Sequence, residues 1–309
     1  MSITLRQLTY FTMLAETQHF GRAAERLAIT QPALSTQIRE LEERLGVSLI
    51  KRGRGRGFAL TPAGHRLLQS AARVLGEVGR LEQVLHRSDR LEGALNLGMI
   101  PTVAPYLLPQ LLPGLRLSHP ELALRLREAQ TERLLEDLEE GRLDAALVAL
   151  PSGAPDLIEA PLFSESFLLA ANEAQIARLK EAPTPLNPDM LAPDRLLLLD
   201  EGHCLADQAL AVCGLSRAGL RADLGASSLA TLTGLAAAGY GMTFLPEIAL
   251  SGALAQVPGL ALARFSAPEP GRVLGLVRPD LGGATGWFDE LAALLTDAGA
   301  ALVAQAKRL

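Results

Sequence analysis

Residues 20–52 read FGRAAERLAITQPALSTQIRELEERLGVSLIKR. Phe20, Ala23, Ala24 and Leu27 recur at the spacing of a short helix, and a tight break follows at Ile29-Thr30. A second helix is predicted from about Gln31 to Leu45, with Leu34, Ile38, Leu41 and Leu45 as its apolar stripe. Thr30 suits the N-cap, and Pro32 suits the first turn, where its missing N–H costs little. Two short helices crossing at small residues make a helix-turn-helix, whose second helix can enter the major groove with its N-terminal residues toward base edges. Gln31, Ser35, Thr36 and Arg39 fall on the polar side of that helix. Gln and Arg have the fork geometry for base edges, and Ser and Thr can reach phosphates.

Working outward, Leu5, Leu8, Phe11 and Leu14 predict a preceding helix. On the other side, VSLIKRGRGRGFALTPAG (47–64) reads as a two-stranded wing with Arg52, Arg54 and Arg56 at its tip, able to track a phosphate backbone or enter a minor groove. The plainer alternative is a helical hairpin with a solvated basic loop; helix, turn, helix and basic wing in one run favour DNA binding. Charge points the same way. Residues 1–90 hold 14 basic and 8 acidic side chains, and the other 219 hold 15 and 26, so a basic head sits on an acidic body.

The 309 residues, 49% hydrophobic and 20% charged, suit a globular protein of two or three domains. The chain opens without a basic stretch followed by an apolar run, and apolar runs such as RLLLLD are too short to span a bilayer, so a cytoplasmic protein without membrane partners is expected. Residues 62–90 predict one long amphipathic helix whose stripe of Leu68, Ala71, Leu75, Val78, Leu81 and Leu85 suits pairing with a second copy; packing on its own body is the alternative. Beyond Gly93, strand candidates (ALNLGMI, LALRLREA, DAALVAL, SFLLAA, RLLLLD) alternate with helical segments (PYLLPQLLPGLRL, TERLLEDLEE, SLATLTGLAAA), which predicts an α/β domain with largely parallel sheets. GYGMTFLP (239–246) reads as a helix-to-strand turn and a buried strand. Neither a glycine-rich dinucleotide motif, a phosphate loop nor a His/Glu metal constellation occurs, so no cofactor or metal is expected.

The run FGRAAERLAITQPALSTQIRELEERLGVSLIKR…LTPAG resembles the winged helix-turn-helix of LysR-type transcriptional regulators, and the likeness extends over nearly the whole chain. The resemblance implies DNA contact through Thr30, Gln31, Pro32, Ser35, Thr36 and Arg39. It implies a winged helix-turn-helix over residues 1–61, a linker and dimerisation helix over 62–90, and a regulatory domain over 91–309. That domain would have two α/β lobes arranged like a periplasmic solute-binding protein, lobe I at 91–166 with 268–309 and lobe II at 167–267. A ligand would sit between the lobes.

The two cysteines of the chain lie in GHCLADQALAVC (202–213). The segment reads as a helix with Leu205, Ala209, Val212 and Leu215 on its buried side. On one helix, nine steps separate two residues by roughly 13.5 Å and half a turn, whereas a disulfide needs Cα atoms within about 7 Å. Bonding the two therefore requires melting the helix. Reduced core thiols remain an equal reading on these grounds. A zinc site with His203, Cys204 and Cys213 lacks close ligand pairs and a fourth ligand. Cys204 falls at the helix start, where N–H groups and the dipole favour a thiolate.

GHCLADQALAVC, with IPTVAPYLLP (100–109) and EAQT (128–131), resembles the OxyR group of hydrogen-peroxide sensors within the LysR family. That resemblance implies that Cys204 is the peroxidatic cysteine and Cys213 the resolving one, joined by a disulfide in the oxidised form. It implies a peroxide site of Thr102, Thr131, His203, Asp207, Gln208 and Arg272. Asp207 would oppose a neighbouring thiolate, and Ala206 stands where the family commonly has arginine. The implied protein is no enzyme but an activator of peroxide-defence genes. Its partners would be double-stranded operator DNA, hydrogen peroxide, RNA polymerase and copies of itself, as a dimer through the linker helix and a homotetramer. The alternative is a LysR regulator responding to a small metabolite in the cleft.

Overall fold

The computed structural model describes residues 3–51, 58–86, 89–181, 185–200, 202, 204–214, 226–280 and 285–308. They divide into two compact units, Met1–His86 with Glu139–Arg142, and Arg87–Leu138 with Leu143–Leu309.

The first unit contains α1 (Leu5–Thr17), α2 (Phe20–Arg26), α3 (Gln31–Leu45) and α4 (Pro62–His86). Local chemistry sets each start and stop. Thr4 and Gln7 form a capping box on α1, His19 Nδ1 accepts the Arg22 N–H at 3.3 Å, and Thr30 Oγ1 accepts the Ala33 N–H at 3.4 Å. Gly46, at φ 68°, ends α3 in the left-handed region that glycine adopts without strain. Phe11, Leu14, Ala23, Ala24, Leu34, Ile38 and Leu41 form the core where α1, α2 and α3 meet. Leu5, expected on the apolar stripe of α1, lies in its first turn and is exposed. The wing is present as an Ile50–Leu60 antiparallel bridge, flanked by Lys51 N–H to the Ala59 carbonyl and Thr61 N–H to the Leu49 carbonyl, both at 2.9 Å. Buried Glu42 accepts the N–H groups of Leu49 and Ile50 at 2.8 and 3.2 Å, tying the wing to α3. The wing tip, with Arg52, Arg54 and Arg56, lies outside the described residues.

The second unit runs β1 (Gly93–Met99), α5 (Ala104–Ser118), β2 (Leu122–Glu128), α6 (Thr131–Glu139), β3 (Ala145–Leu150), β4 (Leu157–Asn172), α7 (Glu173–Glu181), α8 (Cys204–Val212), α9 (Leu229–Ala237), β5 (Thr243–Pro246), β6 (Leu260–Arg264), β7 (Gly271–Pro279) and α10 (Gly286–Ala306). Its strands follow the order β2-β1-β3-β7-β4-β5, with β6 also on β4. The long β4 serves two lobes: residues 157–166 pair with β7, and residues 167–172 with β5 and β6. Each lobe has its own core, one around Leu97, Leu147, Leu276 and Leu291, the other around Phe167, Phe244, Leu232 and Leu205.

Two expectations are corrected. The sheet is mixed rather than largely parallel, because β7 and β4 return antiparallel to close one lobe and open the other; among the described residues only the β1–β2 and β1–β3 ladders are parallel. RLLLLD forms no strand. Leu196 and Leu199 make single bridges to Met242 and Ala226, two different partners, so no ladder propagates. Both leucines are nonetheless buried in the second lobe's core, which explains the apolar run.

Candidate functional site

Helix α8 opens on Cys204 and carries one cysteine at its first residue, with the other just past its last. Gly202, at φ 87°, leads into it, and a Cβ at that position would overlap the Gln130 side-chain amide. Glycine is what lets this turn pass close to the residue preceding Thr131. Cys204 is partly exposed and packs against the core of the first lobe, although its helix belongs to the second. It lines a cavity of about 1010 Å³ between the lobes together with Thr131, Asp207, Gln208, Glu165 and Arg272.

Two polar atoms at this cavity stand out. Thr131 Oγ1 and Gln208 Oε1 are both buried, and neither has a hydrogen-bond partner among the described residues. A buried polar atom left unpaired costs about 1–3 kcal/mol, so two of them beside one thiol constitute a place for a small polar ligand. Thr131 opens α6, and its hydroxyl caps no N–H of that helix among the described residues. Asp207 sits exposed in the first turn of α8, where its charge favours the helix terminus. His203 lies outside the described residues.

Thr102 is held differently. Its residue is 2% exposed, in the turn before α5, whose N-cap is Val103. Arg272 Nη1 donates to Thr102 Oγ1 at 2.9 Å, and Nη2 donates to the Thr102 carbonyl at 3.4 Å. The guanidinium is in turn paired with Glu165 at 2.8 Å and lies over the Phe167 ring. Burial pushes the Glu165 carboxyl up, while Arg272 and the Ile248 N–H, which Glu165 accepts at 3.0 Å, pull it back. Glu165 is absent from the residues that the sequence singles out. Nothing in FSESF distinguishes it from a surface carboxylate, because its position opposite Arg272 depends on a strand pairing across 107 residues.

Cys213 shares none of this. Only 7% exposed, it belongs to the second lobe's core, where burial and then the Asp189 charge push its thiol up to about 11. Its N–H still donates to the Ala209 carbonyl at 3.2 Å, and Gly214, at φ 64°, ends the helical path. Leu205 and Ala209 are buried as the helical reading requires, and Ala206 is buried beside them; Val212 is half-buried, and Leu215 lies outside the described residues. Both cysteines are free thiols. Among the described residues, no group of three or more His, Cys, Asp or Glu side chains is arranged to hold a metal ion.

In the head, Thr30, Gln31, Pro32, Thr36 and Arg39 are exposed on the first turns of α3, and Ser35 is half-buried beside them.

The family profile for the lysR-family bacterial regulatory helix-turn-helix protein matches residues 5–65, and that for the LysR substrate binding domain matches residues 88–299. The DNA-binding transcriptional dual regulator OxyR of Escherichia coli (strain K12) is 41% identical over 276 residues, covering 89% of this chain and 89% of that protein. The chain belongs to the LysR family, in its OxyR group. That family is one of transcriptional regulators. Solved OxyR structures have the same architecture. Full-length OxyR from Pseudomonas aeruginosa, with a cysteine replaced by aspartate, matches with a TM-score of 0.70 at 32% identity, over 96% of this chain and 95% of that one. A hydrogen-peroxide-bound OxyR from Corynebacterium glutamicum, with a cysteine replaced by serine, matches with a TM-score of 0.63 at 37% identity, over 100% and 98%. Among the described residues, no helix is long and apolar enough to cross a membrane.

Proposed function

We propose that this OxyR-group chain is a DNA-binding transcriptional activator that senses hydrogen peroxide through a Cys204–Cys213 thiol–disulfide switch. The observation that carries the reading is that Cys204 lines one cavity with Thr131 and Gln208, whose Oγ1 and Oε1 have no partner among the described residues, while Cys213 is buried at the far end of the same helix. The Cys204 thiolate attacks one peroxide oxygen, an S–O bond forms, the O–O bond breaks, and the other oxygen leaves as hydroxide and is protonated to water. Cys213 then attacks the sulfenic sulfur; the S–S bond forms, and the S–O bond breaks to release a second water. Two electrons leave the two thiols and reduce one peroxide. On this reading Thr102, Thr131, His203, Asp207, Gln208 and Arg272 serve the bound peroxide, and cellular thiol reductants reset the switch. One peroxide is consumed per cycle as a signal, so the protein is not an enzyme in the usual sense.

The domain division follows from the same reading: a winged helix-turn-helix over 1–61, a linker over 62–90 and a regulatory domain over 91–309 with lobes meeting near residues 166 and 267. Thr30, Gln31, Pro32, Ser35, Thr36 and Arg39 face DNA, with Arg52, Arg54 and Arg56 on the backbone. Leu81, 59% exposed on α4, supports pairing of linker helices in a dimer. Dimers read paired half-sites, assemble to tetramers and contact RNA polymerase in the cytoplasm, switching on peroxide-defence genes such as those for catalase and alkyl hydroperoxide reductase.

The cavity volume favours a second reading. About 1010 Å³ is far more than hydrogen peroxide fills and matches a drug-sized ligand, so a metabolite-responsive LysR regulator is the competitor. Intact and peptide mass spectrometry of anaerobically reduced protein, after one equivalent of hydrogen peroxide, separates them. Fast Cys204–Cys213 bridging, absent in Cys204→Ser, with a changed DNA footprint supports the switch. Thiols that survive with the footprint unchanged favour the metabolite.

A further inference from the structure

We infer that Glu165 is a positioning residue of the thiol site, orienting Arg272 so that Thr102 offers its hydroxyl proton to the oxidant. The inference rests on the peroxide-sensing reading and deepens it with a residue that the reading does not use.

Glu165 on β4 and Arg272 on β7 are direct partners in an antiparallel pair, so their side chains rise from the same face of the sheet. Glu165 Oε1 accepts from Arg272 Nε at 2.8 Å and lies 2.8 Å from Nη2 in the ion pair, and Phe167 covers the guanidinium at 5.9 Å from its ring centre. With two nitrogens tied and one face covered, Nη1 is aimed at Thr102 Oγ1, 2.9 Å away. A guanidinium has only donors, so Thr102 must accept at that contact, and its single hydroxyl proton is left for something else. Among the described residues, nothing takes that proton. In the sulfur–oxygen bond-forming step, negative charge grows on the departing peroxide oxygen, and a fixed donor stabilises it more than it stabilises the bound peroxide.

The carboxylate is itself immobilised. Glu165 Oε2 accepts the Ile248 N–H at 3.0 Å, and Glu247 Oε2 accepts the Ser166 N–H at 2.9 Å, a reciprocal pair where β4 passes from one lobe to the other. The order of control runs from the lobe crossing to Glu165, then Arg272, then Thr102.

The test uses full-length reduced protein carrying Glu165→Gln, Thr102→Val or both. Oxidation of Cys204 by hydrogen peroxide is followed by stopped flow, and alkylation of Cys204 by iodoacetamide at the same pH by mass spectrometry. We expect Glu165→Gln to slow peroxide oxidation about 10- to 100-fold, to leave alkylation within about twofold, and to add almost nothing once Thr102 is valine. Equal slowing in both Thr102 backgrounds, a matching loss of alkylation or an unchanged peroxide rate would each overturn the assignment. If urea unfolding shows that Glu165→Gln does not fold, Glu165→Asp keeps the charge but withdraws the acceptor, and it must show the same dependence on Thr102. A wild-type protein whose Cys204 resists peroxide removes the sensing reading itself, a failure seen before any variant is made.

Discussion

Cys204 and Cys213 bracket a nine-residue helix, yet one faces an interlobe cavity with unpaired polar atoms at its wall and the other is sealed in the second lobe's core with its thiol pushed up to about 11. The first site exposes a sulfur where a small oxidant can be held. The second keeps a sulfur protonated and out of reach. Helix α8 is what keeps them apart, since a helical path of this length spans roughly 13 Å and a disulfide tolerates about 7 Å between Cα atoms. On the proposed reading, reactivity and latency come from two environments imposed on one residue type. Joining the two sulfurs trades the helix, with its burial of Leu205, Ala206 and Ala209, for a covalent bond. Such an exchange between two packings is what a switch requires.

The contrast breaks most visibly under replacement of either sulfur. Cys204→Ser should abolish peroxide-driven bridging and leave Cys213 reduced. Cys213→Ser should leave Cys204 reactive but halted at the sulfenic acid, trapped by dimedone and located by peptide mass spectrometry. Oxidation of Cys213 in the Cys204→Ser protein would erase the distinction.

The latent site has a pH signature. Folding holds the Cys213 thiol up at about 11, above its value in an open chain, so this thiol favours the folded state least where the open chain ionises and the folded chain does not. Its contribution is intact below about pH 9 and is lost as pH rises toward 11. The unfolding free energy of wild type relative to Cys213→Ser should therefore fall by ~2 kcal/mol over that range, measured by urea titration.

Smaller changes sharpen the reactive site. Gly202→Ala forces a side chain into the left-handed region and against Gln130; a loss of roughly 1–2 kcal/mol in urea unfolding is expected, with slower oxidation of Cys204 and partial recovery on adding Gln130→Ala. Thr131→Val removes a buried hydroxyl that has no partner among the described residues, so stability should hold or rise, by up to about 1–3 kcal/mol, while peroxide oxidation slows several-fold in stopped flow.

Much of the head and part of the switch are legible in the chain. Thr30 and Pro32 mark the start of α3, and the stripe of Leu34, Ile38 and Leu41 predicts its buried face, because caps and helical periodicity act over a few residues. The start of α8 at Cys204 is legible for the same reason. RLLLLD misleads, since an apolar run reports burial and not pairing, and the mixed sheet is hidden because strand direction depends on partners far away in sequence.

By itself the sequence determined the helix-turn-helix, the basic head on an acidic body, the position of Cys204 at a helix start and the impossibility of a disulfide within that helix. These are properties of short segments and of counts, governed by local backbone chemistry and by charge. Only the tertiary structure decided that Arg272 pairs with Glu165 and is turned toward Thr102, that Thr131 Oγ1 and Gln208 Oε1 have no partner among the described residues, and that Cys213 is buried. Those facts depend on β4 and β7 meeting in one register and on two lobes closing around a cavity. Hydrogen bonds and desolvation act only over contact distances, and folding alone brings those groups together.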